Sequence, residues 1–168
     1  AWLAEIHFLR CELRHCLKNL KRWQKPRRAA NPFYFWPARS EIRRQPFGRV
    51  LIASPWNYPL QLSLSPLISA IASGNCVILK PSECAPATSA FVSDLIASVF
   101  DPGHATVITG GSATGEALLT LPFEFFGYTG GEKVGRLYAE AGARNLSPVL
   151  LELGGKCPCL IDHDVDLE

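Results

Sequence analysis

Gly48-Arg-Val-Leu-Ile-Ala-Ser54, running into Pro55-Trp-Asn-Tyr-Pro59, is the stretch that decides the fold. Val50, Leu51 and Ile52 are consecutive, so apolar side chains point to both faces of any strand they form. Such a strand has to be covered on both sides, which is the condition of a parallel sheet between helices. The rest of the pattern agrees. Residues 60–73 are long enough for a helix, and Cys76 to Lys80 is a second apolar run. A helix over 87–100, a strand over 105–109 and a helix near 112–120 follow, then a strand over 123–128, a helix over 132–143 and a strand over 148–153. Strands that alternate with helices predict an α/β, Rossmann-like parallel sheet with flanking helices, whose ligands gather at the carboxyl ends of the strands.

Before Gly48 the character differs. Trp2, Ile6, Leu9, Leu13, Cys16 or Leu17, Leu20 and Trp23 recur every three to four residues, so residues 1–23 read as an amphipathic helix that Pro26 ends. Residues 31–47 mix Phe33, Tyr34, Phe35 and Trp36 with prolines and arginines, a pattern for an extended arm or hairpin. The expected division is therefore an N-terminal helix and arm over 1–47 and a nucleotide-binding domain over 48–168. Residues 1–50 carry 12 Lys/Arg against 3 Asp/Glu, and residues 51–168 carry 5 against 12. No nucleic-acid motif accompanies the basic segment, so a solvated or subunit-facing surface is expected and no nucleic-acid partner.

The 168 residues, 48% hydrophobic, suffice for one core, yet there is no methionine, and Ala1-Trp2-Leu3 opens in mid-helix pattern; an interior piece of a longer chain is expected. Neither a membrane span nor a signal peptide is visible. The six cysteines include no Cys-x-x-Cys pair and are expected to be free thiols of a cytoplasmic protein. His7, Cys11 and His15 fall on one helix face with Cys16 beside them, but one helix rarely closes a tetrahedral shell, and no metal is expected. Cys157 and Cys159 are expected to pack a strand end as small apolar side chains.

Four motifs stand at strand ends. Asn57 offers a neutral amide donor in a turn stiffened by Pro55 and Pro59, suited to an oxyanion, or simply to capping the turn. Lys80 and Glu83 lie three residues apart, where both can reach a ribose; a surface ion pair is the alternative. Gly130 and Gly131 precede a helix whose first turn begins at Glu132, with Gly135 in the next turn, and could admit a phosphate; alone, the spacing is that of any turn. Glu152 ends an apolar run before two glycines. Partial desolvation there would raise its pKa toward the range of a general base, the alternative being an ion pair with Lys156.

Pro55-Trp-Asn-Tyr-Pro59, Lys80-Pro-Ser-Glu83, Tyr128-Thr-Gly-Gly131 and Glu152-Leu-Gly-Gly-Lys156, in this order, resemble the cofactor half of the aldehyde dehydrogenases, most closely the class 3 branch. The resemblance is close over about residues 45–168 and general before that. It implies NAD(P)-dependent oxidation of an aldehyde to a carboxylic acid, with Asn57 holding the tetrahedral oxygen and Glu152 activating the water that hydrolyses a thioester. It implies cofactor contacts from Trp56, Asn57, Lys80, Ser82 and Glu83, from Gly111 and Gly115 beside the adenine, and from Gly130, Gly131, Val134 and Gly135. Glu152, Leu153 and Gly154 complete that set. Gly131 replaces a serine or asparagine of the family's loop, leaving backbone donors alone. A carboxylate at Glu83 tilts the choice to NAD, with NADP possible because Lys80 offsets its charge. By the same resemblance the nucleophilic cysteine falls beyond Glu168, so the chain is expected to be inactive alone, and the complete enzyme to be a homodimer or tetramer acting on a small-molecule aldehyde. The alternative is a non-catalytic nucleotide-binding fragment.

Overall fold

The structure, a computed structural model, describes residues 2–163. A π-helical turn, Trp2–His7, leads into α1, Phe8–Trp23, and then a small antiparallel hairpin forms from β1, Arg27–Ala29, and β2, Ser40–Ile42. An arm or hairpin was expected over 31–47; the hairpin has its second strand there and its first strand ahead of residue 31. Nothing in an alternation rule marks these two strands, because every residue of β2 is exposed and β1 buries only one side chain partly.

From Arg49 the chain follows the expected order: β3 (Arg49–Ala53), α2 (Gln61–Ala72), β4 (Cys76–Lys80), α3 (Pro86–Val99), β5 (Ala105–Val107), α4 (Ser112–Leu119), β6 (Phe125–Thr129), α5 (Glu132–Asn145) and β7 (Val149–Glu152). The five strands from β3 to β7 form one parallel sheet in the order β5-β4-β3-β6-β7. The chain thus starts in the middle, winds to one edge, returns and winds to the other, which puts the topological switch between β3 and β6.

Alternation along β3 divides the core. Val50 and Ile52 join Val77, Leu79, Leu67, Val92 and Ile96 under α2 and α3. Leu51 and Ala53 join Phe126, Leu118, Leu119, Tyr138 and Ala141 under α4 and α5. Leu51, Phe126 and Val92 are wholly buried, as the unbroken apolar run requires. On the second face Tyr138 meets Phe126 edge-on and stacks on Tyr128, with ring centroids 4.7 Å apart. Burial and the Tyr128 ring hold the Tyr138 phenol well above its ordinary pKa.

At the amino ends of the strands, Glu124 accepts the Arg49 backbone N–H at 2.7 Å and pairs with the Arg49 guanidinium, joining the entries to β3 and β6. Hydrogen bonds from Arg49 pull the Glu124 carboxyl down to about 2. Its folded value is depressed, so its contribution is present above the ordinary carboxylate range and is lost as pH falls through about 2. Both side chains are largely exposed, which keeps the contribution small. Glu124→Gln is therefore expected to melt slightly lower than the parent at neutral pH, with the gap closing on acidification toward pH 2, as thermal melts across that range would report. A constant gap would refute the pairing.

α5 stops at Leu146, which takes a left-handed conformation (φ 52°, ψ 34°) while 94% of its side chain surface is exposed. The left-handed region costs an L-residue roughly 1–2 kcal/mol, and the exposed Leu146 side chain gains little burial to offset it. Leu146→Gly is expected to stabilise the protein by about 1 kcal/mol in urea unfolding.

Candidate functional site

Register places the carboxyl ends of the strands on one rim. Ala53 pairs with Lys80 on one side and with Tyr128 on the other, and Thr129 pairs with Glu152. The turn that carries Asn57, the Lys80–Glu83 segment, the Gly130–Gly131 loop and Glu152 therefore leave the sheet from the same edge. β3 and β7 are two strand spacings apart, roughly 10 Å, so Asn57 and Glu152 flank β6.

At β4, the Lys80 side chain is buried while its Nζ reaches Glu83 Oε2 at 3.3 Å; Glu83 remains half exposed. A bond from its own backbone N–H is the main influence lowering the Glu83 pKa, with the Lys80 charge in support and partial burial in opposition. Gly115 in α4 faces the Lys80 stem: a Cβ there would lie 3.6 Å from Lys80 Cε. Gly111, the residue before α4, opens onto free space. Ser82 is occupied locally, its Oγ accepting the Cys84 N–H at 3.2 Å and its carbonyl accepting Ser89 Oγ–H at 2.8 Å, which ties the segment to α3.

At β6, Gly130 has to be glycine, because a Cβ would fall on the Tyr128 hydroxyl. Burial pushes the Tyr128 phenol up and Glu83 adds to that, while the Gly131 N–H opposes it. Gly131 precedes α5 with nothing within 4 Å of where its Cβ would be, leaving the positive end of the helix accessible. Such a helix end beside an open backbone, with a lysine across the rim, has the donor chemistry that a pyrophosphate and ribose require. The Gly130 N–H donates to the Glu152 carbonyl at 3.0 Å, so this loop and β7 are joined. Gly135 gives room to Leu153, whose Cδ2 would lie 2.7 Å from an added Cβ; Val134 and Leu153 are both partly exposed.

Asn57 is exposed, and its Oδ1 accepts the Tyr58 N–H at 3.2 Å. With Oδ1 so engaged, the Nδ2 donor meets no protein acceptor among the described residues. Trp56 is 64% exposed, so it is neither core nor an enclosed wall in this chain.

Two expectations need correction, and one alternative finds no support. Among the described residues Glu152 is exposed rather than partly desolvated, β7 having a neighbouring strand on one side only. Lys156 forms no ion pair with it among the described residues. Cys157 and Cys159 are exposed and pack no strand end, since β7 stops at Glu152 and no regular element follows among the described residues. The expectation of no metal rested on spacing. Cys11 Sγ lies 3.4 Å from His7 Nε2, whereas the His15 ring sits against Trp23, and no cluster of three metal-ligating groups occurs among the described residues. Two acids went unread in the sequence. Glu5 Oε2 accepts the Leu60 N–H at 2.9 Å and so caps α2 from the N-terminal helix, and Glu12 Oε1 accepts Ser65 Oγ–H at 2.9 Å.

Among known proteins, residues 3–168 match the aldehyde dehydrogenase family. Aldehyde dehydrogenase family 3 member H1 of Arabidopsis thaliana is 44% identical over 164 residues, which is 98% of this chain and 34% of that protein. A solved structure described as the substrate-bound state of Staphylococcus aureus AldH superposes with a TM-score of 0.91 at 41% identity, covering 96% of this chain and 35% of that one. The Mycobacterium tuberculosis aldehyde dehydrogenase complexed with NAD+ superposes with a TM-score of 0.76 at 31% identity, over 93% and 32% of the two chains. The chain thus spans about a third of the length of the relatives it matches.

Proposed function

The chain belongs to the aldehyde dehydrogenase family, and on that premise we propose that the complete protein oxidises an aldehyde to a carboxylic acid with NAD(P), residues 48–168 supplying the nucleotide-binding domain. The observation that carries this reading is the shared rim, where β3, β4, β6 and β7 end at Ala53, Lys80, Thr129 and Glu152 within one residue of register around the topological switch. Lys80 and Glu83, supported by Ser82, hold the adenosine ribose; Gly111 and Gly115 border the adenine. Gly131 and Gly135, with Val134 between them, admit the pyrophosphate at the helix end. Trp56, Leu153 and Gly154 border the nicotinamide side. A carboxylate at Glu83 accepts a 2′-hydroxyl and repels a 2′-phosphate, so NAD is the favoured cofactor and Lys80 makes NADP tolerable. Once bound, the cofactor supplies the two-electron acceptor.

The chain's own groups do the rest of what this half contributes. Asn57 Nδ2 donates to the oxygen that gains charge when a thiolate from elsewhere in the protein adds to the carbonyl. Glu152 takes a proton from the water that cleaves the resulting thioester. Among the described residues Glu152 is exposed, so water has access to it. We assign subunit association to the hairpin and the residues around it in 1–47, where Phe33 and Trp36 are 89% and 84% exposed. Among the described residues no helix is long and apolar enough to cross a membrane.

The test is direct. Saturable binding of NAD, and weaker binding of NADP, should quench tryptophan fluorescence of the complete protein, and aldehyde should then drive formation of reduced nicotinamide at 1:1 stoichiometry. Binding of neither dinucleotide ends the proposal.

A further inference from the structure

Ser63 lies in the first turn of α2 and its side chain has no exposed surface. Its Oγ–H donates to the Pro59 carbonyl at 2.6 Å. A hydroxyl has one proton to give, so in its second contact, with Ser54 Oγ at 2.6 Å, Ser63 accepts and Ser54 donates. Ser54 is 6% exposed, and its backbone N–H donates to the Lys80 carbonyl at 3.1 Å, which extends the ladder between β3 and β4 by one residue. The result is a directed chain from sheet to Ser54 to Ser63 to Pro59. It closes over Pro55-Trp-Asn-Tyr-Pro59, joining the residue before this turn to its last residue through one buried oxygen.

Beyond this chain and its two prolines, the turn is held by the Leu62 N–H, which donates to the Tyr58 carbonyl at 2.9 Å. Trp56, Asn57 and Tyr58 are all exposed, and within the turn the Asn57 amide contributes the single bond to Tyr58 N–H. On the far side Glu5 holds the Leu60 and Gln61 N–H groups, so the helix end cannot drift to compensate. We infer that Ser63 is a positioning residue for Asn57: the Ser54–Ser63–Pro59 chain fixes where the Asn57 Nδ2 donor points. The inference rests on the reading of Asn57 as the oxyanion donor. Geometry of that kind is where small displacements cost most in rate, since a donor about 1 Å out of place can forfeit roughly 100-fold.

The experiment is a double-mutant cycle on kcat in the complete protein. Ser63→Ala is expected to lower kcat roughly 10- to 100-fold with the NAD dissociation constant unchanged, Ser63→Thr to restore most of it, and Ser63→Ala added to Asn57→Ala to lower kcat no further. A merely structural role would instead shift the melting temperature and lower kcat by the same factor in both backgrounds, which overturns the inference; so does full activity of Ser63→Ala. Where Ser63→Ala yields no folded protein by circular dichroism, Ser54→Ala takes its place in the cycle, with coupling to Asn57 expected and additivity overturning. If Asn57→Ala alone keeps the parent kcat, the oxyanion reading falls and takes this inference with it, an outcome separate from the others.

Discussion

Replacing Asn57 with alanine is expected to lower kcat for aldehyde oxidation by the complete protein roughly 100- to 1000-fold. Both ends of its turn are anchored, one to the sheet and the other to the start of α2, and the Tyr58 N–H donates to the amide oxygen, leaving the Nδ2 donor without a protein acceptor among the described residues. A donor of that kind stabilises charge without reorganising when the charge appears, which is why its loss falls on kcat rather than on substrate binding. Asn57→Asp keeps the size but puts a negative charge toward the developing oxyanion, and is expected to lose at least as much. Stopped-flow formation of reduced nicotinamide under single-turnover conditions isolates the step. A rate within a factor of about two of the parent would remove Asn57 from the chemistry.

The second large effect is expected at Glu152. Glu152→Gln keeps the shape and hydrogen-bonding reach of the side chain but cannot accept a proton, so thioester hydrolysis should slow roughly 100- to 10,000-fold while the preceding steps continue. The signature is a burst of reduced nicotinamide equal to one per active site, then near silence, with the acyl group retained on the protein by mass spectrometry. Because the Gly130 N–H bonds to the Glu152 backbone carbonyl and not to its side chain, the substitution leaves the Gly130–Gly131 loop tied to β7, and binding of NAD should be little changed. Ordinary steady-state turnover would show that another group activates the water.

The parallel sheet was legible because it is buried on both faces: Val50-Leu51-Ile52 and Val77-Ile78-Leu79 carry the burial in their composition. The placement of Asn57, Lys80, Glu83, Gly130 and Glu152 on one rim followed from the same reading, since parallel strands all end at the same side. What escaped was whatever depends on partners distant in sequence. Exposure of Glu152 depends on what lies beside β7, and among the described residues β7 has a strand on one side only, which no local pattern records. The hairpin strands Arg27–Ala29 and Ser40–Ile42 pair through backbone bonds with almost no buried side chains, so no alternation announced them. Ser63 was hidden for another reason: a serine in the first turn of a helix is unremarked until its i−4 carbonyl proves to be that of Pro59. Glu5 reaches the amides of Leu60 and Gln61 across more than fifty residues of chain, and only the fold brings it there.

β3 divides its side chains between the two faces of the sheet. Val50 and Ile52 face one half of the interior while Leu51 and Ala53 face the other, so this five-residue strand is the common wall of two otherwise separate compartments. A swelling substitution on either side has no slack layer to expand into; it pushes the wall, and the wall ends in the turn that bears Asn57. Laboratory evolution for heat tolerance would therefore meet its tightest veto along these few positions, with freer choice on the outer surfaces of the four flanking helices.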